Sequence, residues 1–257
     1  MKLTYLGTCG NQTADREATG FVVQEGETVL LVDAGPGATR QVYRTELPCA
    51  AVENIVITHA HGDHASGLPY LLWSSFYDRL AGTTGPDTVK IYALEGILQG
   101  LQSTLRFYYD PARWPFTIDW LPVPIGQKFD IGSLRVTAVE VQHSVPNIGL
   151  RIENGETVVS YSSDTVHCPA FVELARGSDL MVHEGFCRTA LADLAGRTGH
   201  STAAEAGRAA RESGAKRLHL VHQFPSEYPH LATLIREASA EYEGPVTVPV
   251  DLDVVEV

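Results

Sequence analysis

The chain lacks any apolar run approaching the roughly 20 residues needed to cross a bilayer. It has no Cys-x-x-Cys pair, and its four cysteines, Cys9, Cys49, Cys168 and Cys187, are scattered. That pattern argues against a disulfide framework or a thiolate zinc site and fits reduced thiols in a cytoplasmic protein. Basic residues are scarce, with 19 Lys and Arg against 31 Asp and Glu and a formal net charge of −12. Nucleic-acid binding rests mainly on Lys and Arg neutralising phosphates, so this balance argues against a general nucleic-acid binder. No Pro/Ser/Gly tract, charge block or low-complexity segment divides the chain. The first residues, Met1-Lys2-Leu3-Thr4-Tyr5-Leu6-Gly7, read as an immediate strand rather than a signal peptide. What remains is an ordinary globular composition, 257 residues with 44% apolar and 19% charged. That is enough chain for a sizeable core, and a single domain over 1–257 is expected.

Strand-like and helix-like segments alternate. Strands are expected at Lys2–Leu6, Gly20–Gln24, Thr28–Asp33, Glu53–Thr58, Thr88–Tyr92 and Thr117–Pro122. Further strands follow at Ser133–Gln142, Gly149–Glu153, Thr157–Ser162, Ser178–His183 and Lys216–Val221. Helices are expected at Pro36–Arg44, His64–Arg79, Glu95–Arg106, Pro169–Arg176, Thr202–Ser213 and Leu231–Tyr242. The helix from Thr202 is the best marked, since Thr202-Ala-Ala-Glu205 matches a capping box and Gly214 sits where a helix-ending glycine belongs. Strands in both halves, with helices between and after them, favour two packed sheets with helices outside over one parallel sheet.

The strongest chemical signal is Thr58-His59-Ala60-His61-Gly62-Asp63-His64. Four metal-capable groups lie directly after a buried strand and before a helix. Imidazole nitrogens and a carboxylate suit Zn²⁺, and also Mn²⁺ or Fe²⁺. One loop does not readily supply two metals, so partners are sought at other strand ends. His143 ends one strand, Asp164 follows another, and His222 follows Lys216–Val221, extending the Leu218/Leu220 face by period-two alternation. All of these groups sit at the carboxyl ends of expected strands, where sheet proteins commonly place their sites. Together they form a seven-ligand, two-metal set.

At this point the chain resembles the metallo-β-lactamase superfamily, and more specifically its ribonuclease Z branch. The likeness runs nearly end to end, through Tyr5-Leu6-Gly7-Thr8, Leu31-Val32-Asp33-Ala34-Gly35, the His59 motif with Ser66-Gly67-Leu68-Pro69, His143-Ser-Val-Pro and Tyr161-Ser-Ser-Asp164-Thr165. It continues through His183-Glu184, Gly199-His200-Ser201-Thr202 and Leu220-Val-His222. The resemblance implies an αββα sandwich, two mixed sheets flanked by helices, holding two Zn²⁺. On that pattern His59, His61 and His143 bind one ion, Asp63, His64 and His222 the other, and Asp164 bridges them. Asp33 would orient one of the ligating histidines. Asp63 would orient or deprotonate the attacking water, His200 would donate a proton to the leaving oxygen, and Glu184 would hold the His200 imidazole. Because His200 lies just before a helix N-terminus, whose positive end disfavours imidazolium, Glu184 has to counter that field.

Two departures stand out. Ribonuclease Z carries a long basic arm that clamps tRNA, whereas here only Glu153-Asn154-Gly155-Glu156 stands at the expected place, a tight acidic hairpin. Pro36 follows the Asp33-Ala34-Gly35 turn where the family usually has an acidic residue. Both departures spare the metal residues and argue against tRNA as the substrate. Of the other histidines, His219 falls on the face opposite His222, His230 opens a helix, His167 reads as a loop residue and His183 as structural. The aromatics Trp73, Phe76, Tyr77, Tyr108, Tyr109 and Trp114 read as core or interface, and the resemblance implies a homodimer through the helix after the His59 motif. Three functions compete. The first is a two-zinc phosphodiesterase for small phosphodiesters or short nucleic acid. The second is a hydrolase of lactones, thioesters or esters on the same metals. The third is a non-catalytic binding protein, which the completeness of the ligand set argues against.

Overall fold

The computed structural model describes residues 1–257. The first half runs β1 (Lys2–Gly7), β2 (Gly20–Glu25), β3 (Thr28–Val32), α1 (Ala38–Arg44), β4 (Asn54–Val56), α2 (Gly62–Ala65) and α3 (Leu68–Leu80). It closes with β5 (Thr88–Ala93), α4 (Glu95–Tyr108) and β6 (Thr117–Pro122). The second half runs β7 (Lys128–Ile131), β8 (Leu134–Val141), β9 (Asn147–Glu153), β10 (Val158–Tyr161), α5 (Pro169–Leu174) and β11 (Leu180–Glu184). It continues with α6 (Ala192–Thr198), α7 (Ala203–Ser213), β12 (Leu218–Val221), α8 (Leu231–Glu241), β13 (Val246–Thr247) and β14 (Val254–Glu256).

Two seven-stranded mixed sheets result, ordered β14-β1-β2-β3-β4-β5-β6 and β13-β12-β11-β10-β9-β8-β7. Each follows the same plan. Strands β1 to β3 and β7 to β10 pair antiparallel in sequence order, β3 to β6 and β10 to β13 pair parallel, and β14 returns to join β1 antiparallel. Parallel pairs need long crossovers, and that is where the helices fall. The carboxyl ends of β3, β4, β8, β10, β11 and β12 therefore meet along one edge of the sandwich.

Strand alternation builds the layers. In β3, Leu30 and Val32 face the other sheet, while Leu31 turns outward against α1, α3 and α4 with Ile55, Leu68, Leu71 and Leu98. The space between the sheets is filled by Tyr5, Phe21, Val136, Leu150, Tyr161 and Val182 among others, with Phe21 edge-on to Tyr161 at 5.0 Å. Met181, Leu218 and Leu220 cover the outer face of the second sheet under Phe171 of α5, Ala206 and Ala210 of α7 and Leu234 of α8. Helix, sheet, sheet and helix are thus four layers around three cores, as expected. No helix is long and apolar enough to cross a membrane.

Three details differ from the sequence reading. The expected helix over His64–Arg79 is two helices, α2 and α3, broken at Ser66-Gly67. A Cβ on Gly67 would lie 2.0 Å from the Gly35 carbonyl oxygen, so the chain presses backbone on backbone there and restarts with Pro69 in the first turn of α3. Strand β7, which pairs with β8 across a turn at Gly132, and helix α6 were not expected. The capping box of Thr202 and Glu205 forms at α7, and Gly214 ends that helix at φ 67°. The connection from β9 to β10 is the tight turn expected, with Asn154 Oδ1 accepting from the amides of Glu156 and Thr157 at 3.0 and 2.8 Å.

Candidate metal centre at one edge of the sandwich

The loop after β4 carries His59 and His61 to the shared edge, and α2 directly after it carries Asp63 and His64. His143 arrives from the end of β8, Asp164 from the end of β10 and His222 from the end of β12. The structure brings all seven together as two overlapping groups, His59, His61, His143 and Asp164, and then Asp63, His64, Asp164 and His222. In the first, His61 Nδ1 lies 3.1 Å from His59 Nε2 and 3.2 Å from His143 Nε2. A tetrahedral zinc with arms of 2.0–2.1 Å has edges of about 3.3 Å, so these are the separations that ligands of one ion adopt. In the second, His222 Nε2 is 3.3 Å from Asp63 Oδ2, and His64 Nε2 is 3.7 Å from the same oxygen.

Asp164 joins the groups through one atom. Its Oδ2 is 3.5 Å from His59 Nε2, 3.9 Å from His143 Nε2, 3.4 Å from His64 Nε2 and 3.3 Å from His222 Nε2. Its Oδ1 and the His64 Nε2 are buried without a hydrogen-bond partner in the chain. A buried polar atom without a partner is costly, and a cation bound between these groups would satisfy both. The donor set therefore fits a pair of divalent metals.

Backbone strain and hydrogen bonds aim the donors. Five non-glycine residues have positive φ, and three of them, Asp33 (61°), Ser163 (53°) and His222 (60°), stand just past β3, β10 and β12 at this edge. Each left-handed residue costs about 1–2 kcal/mol, and such strain concentrates where a side chain must be re-aimed. For His222 this corrects the alternation argument. The Leu218/Leu220 face is the outer one beneath α7 and α8, and the left-handed turn after Val221 swings His222 inward instead. Asp33 accepts from the Thr58 amide at 2.8 Å and contacts His64 Nδ1 at 2.8 Å and the Tyr161 hydroxyl at 3.3 Å. Thr58 Oγ1 meets His59 Nδ1 at 3.1 Å, and His143 Nδ1 donates to the Gly199 carbonyl at 2.8 Å. In His59, His64 and His143 one nitrogen is thus engaged and Nε2 is left to face the cluster, an orientation that tunes ligating histidines.

Most of the charges suit ligation. The exception is His64, where burial opposes the charged form but Asp164 and Asp33 outweigh it and raise the imidazole, so a metal has to displace its proton. Burial pushes the His59 imidazole down to about 2, helped by neighbouring His64, and burial also lowers His143. Burial opposes the charged form of Asp63, but the hydrogen bond from His222 and the charge of His64 outweigh it and hold Asp63 at about 2. Burial opposes a charged Asp164 too, yet His222 and His64 keep it well below the carboxylate range.

Glu184 and His200 line the same edge. Nδ1 of His200 lies 3.0 Å from Glu184 Oε2, and its ring stacks on Phe186 at 4.2 Å, with centroids 5.0 Å from His143 and 5.3 Å from His222. The Thr165 amide also donates to Glu184. Burial lowers His200, while burial and then Asp164 raise Glu184. The remaining histidines lie away from the cluster. His219 contacts the Tyr5 hydroxyl at 2.8 Å between the sheets, His167 pairs with Glu212 at 2.9 Å and His183 Nδ1 donates to the Glu184 carbonyl at 2.6 Å. His230 precedes α8.

Two residues of the site were not singled out from the sequence. Asn147 is buried, donates to the Asp164 carbonyl at 2.7 Å and accepts from Ser163 at 3.0 Å, so it holds the strained turn that presents Asp164. An Asn directly before the apolar Ile148-Gly149-Leu150 was the available signal. Phe186, the platform under His200, left no such signal in the sequence.

A four-layer αββα sandwich with a His/Asp cluster at the shared edge of its sheets defines the metallo-β-lactamase fold. The model of the Beta-lactamase superfamily domain matches residues 28–223. The chain belongs to that superfamily, a class of metal-dependent hydrolases, in its ribonuclease Z-like branch. It is 33% identical to ribonuclease BN of Cronobacter sakazakii over 89% of this chain and 90% of the relative. It is 30% identical to ribonuclease Z of Acaryochloris marina over 93% of this chain and 92% of that protein. Among solved structures, the metallo-beta-lactamase fold protein YhfI from Bacillus subtilis superposes with a TM-score of 0.87 at 25% identity, covering 100% of this chain and 99% of the other. The alignment to the Cronobacter ribonuclease spans 282 positions, more than the 257 residues of this chain, so that relative carries residues with no counterpart here.

Proposed function

We propose that the protein is a two-zinc phosphodiesterase acting on small phosphodiesters or short nucleic acid. His59, His61 and His143 would hold one ion and Asp63, His64 and His222 the other, with Asp164 bridging. Mn²⁺ or Fe²⁺ suits the same donors. The observation that carries this reading is the single Asp164 oxygen set 3.3–3.9 Å from four imidazole nitrogens. A metal pair held by these residues would lower the pKa of a water towards neutrality and offset the charge that develops on phosphoryl oxygens. Asp63 keeps a carboxylate at the edge of the cluster and orients the attacking water. His200 gives a proton to the leaving oxygen, while Glu184 and the Phe186 ring hold its imidazole in register. The names of the ribonuclease relatives support phosphodiester chemistry. The short acidic turn after β9 and the net charge of −12 support short substrates over tRNA. A homodimer belongs to the same reading, since α3 leaves Tyr70, Tyr77 and Leu80 exposed.

Zinc-supplied protein is expected to hydrolyse bis(p-nitrophenyl) phosphate. His200→Ala should lower kcat by about 10²–10⁴ with its zinc content unchanged. Turnover of lactones or acyl thioesters while phosphodiesters stay untouched would move the protein to the carbonyl hydrolases. Absence of metal-dependent turnover across all three classes would overturn the proposal.

A further inference from the structure

A groove of about 620 Å³ runs beside the candidate metal centre, walled by the His59–His64 loop, by α4 and by the segment after His143. Ala60 and Gly62, which alternate with His59, His61 and Asp63, line it from one side, and Val145 and Pro146 line it from the segment after His143. No charged side chain lines it. In a chain of 50 charged residues, a cavity of this size without one beside a metal centre is selective by composition. The wall from α4 presents Gly96, Gly100 and Thr104, four residues apart and so on one helix face.

Those two glycines are not required by packing. A Cβ at either position would meet nothing within 4 Å, and neither has a left-handed φ. Glycine is a poor residue for a helix interior, yet the fold keeps it where any larger side chain would project into the groove. Polynucleotides carry a charge at every linkage, and this groove offers them neither Lys nor Arg. Its volume lies within the range of small-ligand sites.

Resting on the phosphodiesterase reading, we infer that the groove receives an uncharged, aryl-sized ester group of a small phosphodiester, and that Gly100 and Gly96 set the size of group admitted. The substrate class is then a diester with one hydrophobic organic substituent, the scissile group lying at the His/Asp cluster and the substituent along α4.

The test is binding by calorimetry of phenylphosphonate and methylphosphonate to the zinc-loaded protein, together with fluorescence titration of the neutral arene 2-naphthol. Phenylphosphonate should bind at least about tenfold more tightly, the scale expected for burying one ring. In Gly100→Leu, and separately in Gly96→Leu, the preference should fall below about threefold and 2-naphthol binding should be lost. Thermal unfolding of both variants at or above the parental temperature shows that they are folded. Equal affinity for the two phosphonates, or a preference that survives both substitutions, overturns the groove assignment. Binding of 2-naphthol that both leucines abolish, with neither phosphonate bound, supports the groove and overturns the phosphodiesterase reading instead.

Discussion

Asp33 stands in a left-handed turn at φ 61°, and its carboxylate is engaged by Thr58, His64 and Tyr161 together. It touches none of the space where a substrate would sit, and its effect passes through the imidazole of His64. Removing such a partner typically weakens metal binding 10–100-fold. On the proposed two-zinc reading, Asp33→Asn should therefore release the ion of the Asp63, His64 and His222 group to a competing chelator at concentrations about 10–100-fold lower, while the His59, His61 and His143 group keeps its ion. Equal chelator resistance in the two proteins would remove Asp33 from the centre. At this scale the sequence was most legible where the chemistry is local, since His59 to His64 span only six residues. His143, Asp164 and His222 were legible because they end strands. The direction of His222 was not, because alternation predicts a side chain only while the strand continues, and this one ends at Val221. Asn147 and Phe186 act through packing with segments remote in sequence, which a linear pattern does not display.

Among the helices, two glycines are of opposite character. Gly67 separates α2 from α3 because the Gly35 carbonyl occupies the place of its side chain. The apolar periodicity from His64 to Arg79 runs through the break, which is why one long helix was expected there. Gly67→Ala forces backbone apart and should cost about 1–3 kcal/mol or more. Gly100→Ala adds a methyl into open space and removes a poor helix former, so it should stabilise the fold by up to about 1 kcal/mol. Urea unfolding of the two variants should shift the midpoint in opposite directions, and a shared direction would refute this account of the two helices. Strand β7 was missed because only Phe129 and Ile131 mark its alternation over four residues. Helix α6 is short and lacks an N-terminal side-chain cap, so little in its sequence announces it.

Across the whole molecule, the repeated plan of antiparallel strands followed by parallel ones places the ligand-bearing strand ends on one edge of both sheets. The alternation of strands and helices pointed to two sheets and outer helices, while pairing order and register emerge only from contacts between distant strands. The layer between the sheets also holds a titratable group. Burial lowers His219 to about 4, whereas an exposed imidazole titrates near 6.5. The unfolded chain therefore takes up this proton first as the pH falls. Stability is full above about 6.5 and is lost towards 4, by up to about 1.4 kcal/mol per pH unit for this group. His219→Gln should flatten that part of the acid-unfolding profile relative to the parent protein. A profile of unchanged slope would contradict it.

The proposed binding of two cations by the seven converging side chains is tested most directly by metal content per chain, measured by mass spectrometry on protein purified with zinc supplied. Two bound metal ions are expected in the parent chain, and about one in His222→Ala and in His143→Ala, matching the two overlapping groups. A parent protein that holds no metal, or a count unchanged by both substitutions, would contradict the account.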